Sequence, residues 1–147
     1  MANYYSDYPE LEFHLHHPLM ERIVELKERG YSDRETYDDA PVDFEDALEN
    51  YSKVLEIAGD IAANIIEPNS ESVDLEGPHL ENGRMIYASK TYENIEAMKK
   101  AGLTGVEMPR RYGGLNLPIT VFTMISEIVS AADSSFQNIW SLQSCID

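Results

Sequence analysis

Four kinds of side chain here have the types to do chemistry. His14, His16 and His17 form an H-x-H-H cluster. Imidazoles at that spacing can share a metal ion, but no cysteine or paired carboxylate stands beside them. An accidental surface cluster is the simpler reading. Cys145 is the single cysteine. No sequence context marks it as a nucleophile, so a small packed side chain is the simpler role. Arg110-Arg111 has the charge to meet a phosphate, but a salt bridge or loop solubility explains the pair as well. Carboxylates are many, with 27 acidic residues. None sits in an apolar context that would tune it, and Asp46, Glu49 and Glu56 read as a solvated helix face. The chain has no Walker A loop and no GxSxG elbow, and Gly113-Gly114 is not a GxGxxG fingerprint.

The elements that must position these groups are helical. The stretch from Ala101 to Pro118, AGLTGVEMPRRYGGLNLP, organises the chain. Gly102 follows Met98-Lys99-Lys100-Ala101, where a glycine takes the left-handed position after a helix. Lysines suit that last turn because they oppose the negative end of the helix dipole. Gly105, Pro109, Gly113 and Gly114 then shape a connection, and Pro118 opens a new helix.

The rest follows in chain order. Residues 1–17 read as an extended arm. Pro18 to Arg29 reads as a short helix with Leu19, Ile23 and Leu26 at i, i+4 and i+7 and Met20 and Val24 beside them, ended by Gly30. Residues 31–41 read as an acidic linker. Asp43 to Ile66 carries Phe44, Leu48, Tyr51, Leu55, Ala58, Ala62 and Ile65 at alternating spacings of four and three, a bundle-helix stripe. Pro68 is expected to stop it. Glu67 to Ala88 reads as a long loop. Ser89 is expected to cap a helix to Ala101, with Tyr92, Ile95 and Met98 inward. From Pro118 to Ala132, Val121, Phe122, Ile125, Ile128, Val129 and Ala132 share one arc of a helical wheel. Asp133 can cap a last helix over 134–145, whose bulk lies on Phe136, Ile139, Trp140, Gln143 and Ile146. The fold class is therefore all-α, a helical bundle.

Composition narrows the functions. Net charge is −16. Residues 1–100 hold 9 basic and 23 acidic groups, whereas residues 101–147 hold 2 and 4. Such a surface repels phosphate backbones, which argues against nucleic acid as a partner. The near-neutral C-terminal third is the part expected to be buried against something else. No apolar run reaches the ~18 residues of a membrane span. The acidic, aromatic start MANYYSDYPE does not read as a signal peptide. With one cysteine, a reducing, cytoplasmic location follows.

The run KKAGLTGVEMPRRYGGLNLP resembles the acyl-CoA dehydrogenase family. So do Ile125-Ser126-Glu127-Ile128 and Ala132-Asp133-Ser134-Ser135, which follow it. In that family such a loop links two helices of the N-terminal helical domain. The similarity runs from about Val42 to Asp147. It divides the chain into an arm, short helix and linker over 1–41 and the helical domain over 42–147. The segment Asp74 to Tyr87, with Glu76-Gly77-Pro78 and Glu81-Asn82-Gly83-Arg84, departs from the family's usual sequence and suggests a less typical branch.

The resemblance implies an oxidoreductase of fatty acid metabolism that dehydrogenates an acyl-CoA thioester across its α,β bond. It implies FAD as cofactor, a glutamate base, electron-transfer flavoprotein as electron acceptor, and a homo-oligomer. The base and most of the flavin site belong to the family's middle β-domain and C-terminal helical domain. Neither is present here, so the chain is expected to be an inactive fragment that binds no flavin. Aligning Ile125-Ser126-Glu127 with the family's helix places Gln137 and Ser141 on the wall of the acyl pocket, with neighbouring Leu142 and with Cys145 one turn on. Acyl-CoA oxidases and flavin monooxygenases share the fold. The competing expectation is a free-standing acidic helical interaction module.

Overall fold

The computed structural model describes residues 2–142. Asp43 starts the central helix, α3 (Phe44–Ile61), by accepting the Asp46 backbone N–H at 2.9 Å. Tyr51, Leu55 and Ala58 are buried along it, while Phe44 and Leu48 pack at its edge. The spacing of the stripe predicted this face.

Pro68 does not stop the helix. A proline lacks the N–H that the carbonyl four residues earlier needs. Ahead of it the backbone widens into a π-helical turn, Ala62–Ile66, in which Glu67 N donates to Ala62 O. The chain then continues as α4 (Glu67–Glu76), with Pro68 in its first turn. So the long loop expected over 67–88 is mostly ordered structure. After α4 comes a hairpin of β1 (His79–Glu81) and β2 (Arg84–Ile86), paired antiparallel with Leu80 opposite Met85. Asn82-Gly83 makes its turn, both at positive φ, the pairing that two-residue hairpins favour. Ser89 does not cap α5 (Ser89–Lys100) with its own oxygen either. The Glu76 carboxylate does so from outside, accepting Ser89 N at 2.9 Å and Ser89 Oγ at 2.8 Å.

Three segments differ from expectation. The N-terminal arm contains α1 (Pro9–Leu15), opened by Pro9 and carrying Glu10 and Glu12 in its first turn. Seven residues are too few for a readable period. In α2 (Met20–Lys27), Met20 and Val24 are buried and Leu19 and Leu26 are exposed. Two apolar rows fit helical spacing there, and the structure uses the one that continues into Glu28. In α5, Thr91, Asn94 and Met98 face inward while Tyr92 is exposed. Asn94 is tolerated in the core because Asn69 Nδ2 donates to its Oδ1 at 2.8 Å.

The connection from α5 to α6 (Ile119–Ala132) holds as its sequence suggests. Gly102 has φ +73°. Its N–H donates to Lys99 O at 3.0 Å, and Leu103 N donates to Met98 O at 2.9 Å. That pair of bonds is a Schellman termination. A short 3₁₀ turn, Arg110–Tyr112, ends at left-handed Gly113. Gly114 serves another need: a Cβ there would lie 2.6 Å from Gly105 O and press on Met108 O. Asn116 N and Leu117 N then bond back to Met108 O and Val106 O. All six residues of the expected arc on α6 are buried, with Met124 beside them. The last described element is α7 (Ser134–Ser141).

The N-terminal arm belongs to the same core. Tyr5, Leu11, Leu15, Met20 and Val24 cluster with α3 and α6. Asn3 Nδ2 donates to Glu56 O at 2.9 Å and Tyr4 N to Gly59 O at 3.2 Å. This close approach explains a glycine inside α3. A Cβ on Gly59 would collide with Asn3 Oδ1 and come within 2.7 Å of Tyr5 N. Helix propensity alone makes Gly59→Ala stabilising by ~1 kcal/mol. The arm reverses the sign: we expect a loss of about 1–3 kcal/mol in urea unfolding, with faster proteolysis before Pro9. A more stable Gly59→Ala protein would show that the arm does not dock.

Candidate functional site

The candidate site is on α7, and Asp133 sets that helix in place. It interrupts α6 with an extended backbone, φ −158° and ψ 103°. Its Oδ1 accepts Ser135 N at 2.8 Å and Phe136 N at 3.0 Å. Two aromatic anchors then fix the helix's rotation. Phe136 is 1% exposed and Trp140 5%. The Trp140 ring stacks on Phe122 with centroids 5.2 Å apart and planes 17° apart. Its Nε1 donates to Leu103 O at 2.7 Å, tying α7 to the loop after α5. A buried indole N–H needs such a partner.

With those anchors inward, Gln137 and Ser141 share one half-buried strip, a single turn apart. Leu142 follows at the helix end and is 64% exposed. Gln143, Cys145 and Ile146 lie outside the described residues. Ile139, expected to pack fully, is only half-buried. It borders an apolar groove of about 340 Å³ between α5, the loop and α7, with Ile95, Met98, Met108, Phe136 and Trp140. Gln137 and Ser141 are not among the residues lining that groove.

Arg110 is buried, and it is not a surface solubilising residue. Its Nη1 and Nη2 donate to Glu28 Oε2 at 2.6 Å and Oε1 at 3.0 Å. Both side chains are at most 3% exposed. Asp39 Oδ2 lies 3.4 Å from Nε and Asp33 Oδ2 3.8 Å from Nη1. Tyr51 OH reaches Glu28 Oε1 at 3.5 Å. Burial opposes the guanidinium's charge, but Glu28, Asp39 and Asp33 outweigh it and raise the Arg110 pKa. Burial first, then Glu28, pushes the Tyr51 hydroxyl well above the ordinary tyrosine value. Glu28 is thus a buried, paired carboxylate that sequence reasoning missed. The available signal was Met20, Val24 and Glu28 at intervals of four. Arg111 stays exposed, its guanidinium 4.8 Å from the Tyr112 ring centroid.

The histidines do not converge. His17 Nδ1 accepts Leu19 N at 3.1 Å, and His14 lies against the Phe13 ring. Among the described residues, no group of three or more His, Cys, Asp or Glu side chains is placed to hold a metal.

The sequence profile described as acyl-CoA dehydrogenase, N-terminal domain, matches residues 49–146. The chain belongs to the acyl-CoA dehydrogenase family. Its helical bundle is the type that this N-terminal domain adopts. The 3-methylmercaptopropionyl-CoA dehydrogenase of Ruegeria pomeroyi is 32% identical over 99 residues. That match covers 62% of this chain and 17% of the relative. No solved structure matches the chain. Among the described residues, no helix is long and apolar enough to cross a membrane. The matched segment starts after Glu28 and includes Arg110, so the buried ion pair joins the dehydrogenase domain to residues that precede the match. Arg110→Met should therefore destabilise the fold by ~3–5 kcal/mol in urea unfolding, because it leaves a buried carboxylate unpaired. Adding Glu28→Leu should recover much of that loss. A single variant as stable as the parent would show that the pair is dispensable.

Proposed function

We propose that this chain forms the N-terminal helical domain of a flavin-dependent acyl-CoA dehydrogenase. The reaction is α,β-dehydrogenation of an acyl-CoA thioester. The observation that carries this, beyond family membership, is the setting of α7. Phe136 and Trp140 turn inward, and the Gln137–Ser141 strip is left accessible beside exposed Leu142. Gln137, Ser141 and Leu142, with Cys145 further along, form the wall of the acyl pocket. The groups that hold FAD and the catalytic base belong to parts of such an enzyme outside these 147 residues. Electron-transfer flavoprotein receives the electrons, the enzyme is a homo-oligomer, and it works in the cytoplasm in fatty acid metabolism. The relative's name supports a short acyl group that carries a thioether, 3-methylmercaptopropionyl, as one substrate to assay.

Side-chain size on the strip should set how deep an acyl chain enters, because overfilling a packed site is costly. Ser141→Phe, placed in an enzyme carrying the flavin-binding domains, should lower kcat/KM for the longest accepted acyl-CoA by ~10-fold or more relative to the shortest. Equal losses for both, or none, would return this strip to ordinary surface. The 147-residue chain alone should purify without visible flavin absorbance. A yellow protein would place the flavin site inside it.

A further inference from the structure

A second cavity shares no lining residue with the α7 strip or the groove beside it. It measures about 270 Å³, between the N-terminal arm and α6. Leu11 and Ile128, both buried, form its floor. Tyr4 and Tyr8 form one wall, their ring centroids 5.6 Å apart and their planes tilted by 36°. Glu10 and Glu127 line the rim. Neither glutamate enters an ion pair among the described residues, and no basic side chain lines the cavity.

We propose that this cavity binds an organic ammonium group on a short aliphatic stem. Each part of such a ligand has a counterpart. Aromatic faces attract a cation within ~6 Å of the ring centroid, more strongly when it is weakly hydrated. Two uncompensated carboxylates supply the opposite charge. The apolar floor of Leu11 and Ile128 suits an aliphatic stem or N-methyl groups. Phosphates and carboxylic acids are disfavoured by the same glutamates. The arm is rigid enough to hold the wall in place. Asn3 N donates to Asp7 Oδ2 at 2.8 Å, Asp7 N to Asn3 O at 3.0 Å, and Tyr4 N is fixed on Gly59 O.

The ammonium group has two sources, a free amine or a lysine side chain of another protein, and the test separates them. The full 147-residue chain is titrated with choline, with choline's uncharged all-carbon isostere dimethylbutanol, and with a short lysine-containing peptide. Amide NMR shifts are followed at constant ionic strength. Saturable shifts centred on Tyr4, Tyr8, Glu127 and Ala131 are expected with at least one cationic probe. Tighter choline binding assigns a free quaternary amine; tighter peptide binding assigns a lysine side chain. The isostere should bind about tenfold more weakly than choline. Glu127→Gln and Tyr8→Leu alter exposed side chains and should keep the parent's circular dichroism. Each should weaken the cationic probe by ~3-fold or more. Equal binding of choline and its isostere, unsaturable shifts, or shifts centred elsewhere would overturn the proposal. So would full affinity in both variants.

Discussion

The buried contact between Glu28 and Arg110 is the constraint on which the rest of the domain rests. An ion pair out of water is held only if its geometry is good and its remaining donors are occupied. Here the fork is bidentate, and Tyr51, Asp33 and Asp39 surround it. Those groups come from α2, the turns after it, α3 and the 3₁₀ turn before Gly113. One guanidinium therefore ties the turn at Arg110 to three consecutive segments that lie far before it in sequence. It also explains the glycine pattern next to it. With Arg110 drawn inward, the chain must double back at once. Left-handed Gly113 provides the reversal, and Gly114 lets the returning strand of backbone lie against Met108 O and Gly105 O.

Much of the bundle was legible in the sequence where one apolar row dominated. The faces of α3 and α6, the termination at Gly102 and the cap at Asp133 all follow from local rules with one outcome. Legibility failed where two local rules competed. Leu19-Met20-Glu21-Arg22-Ile23-Val24 offers two rows at helical spacing, and only packing on α3 selects Met20 and Val24. Pro68 normally ends a helix, yet a π-helical turn ahead of it removes the conflict. Asn82-Gly83 was a hairpin signal, but its flanking strands are three residues each, too short to show alternation. Glu28 was hidden for another reason. A charged residue reads as surface until its partner is known, and that partner is 82 positions away.

The candidate site shows the same division. The bulk of α7 was assigned to Phe136 and Trp140 by helical geometry, and both are buried. What no pattern in the sequence shows is the hydrogen bond from Trp140 to Leu103 O, which fixes the helix's rotation. Ile139 was placed with the packed bulk, but it stands at the edge of a groove and is only half covered. The cavity under Tyr4 and Tyr8 was unreadable for a similar reason. Its two walls come from the first ten residues and from α6, and nothing local to either segment marks them as neighbours.

The faces of α7 differ in what they bury. The energy that holds the helix comes from Phe136, Trp140 and the Asp133 cap, all on the inner side or at its start. The strip of Gln137 and Ser141 contributes little apolar burial, so its side chains can change size without loosening the helix. Exchanging a residue there alters the shape presented outward, while exchanging Trp140 would release the loop that ends at Leu103. A domain built this way can keep one fold and still present differently shaped surfaces along a single helix. Asp133 is what makes the separation possible. Had α6 continued unbroken, the helix would keep its axis, and Trp140 would not reach Phe122 and Leu103 together.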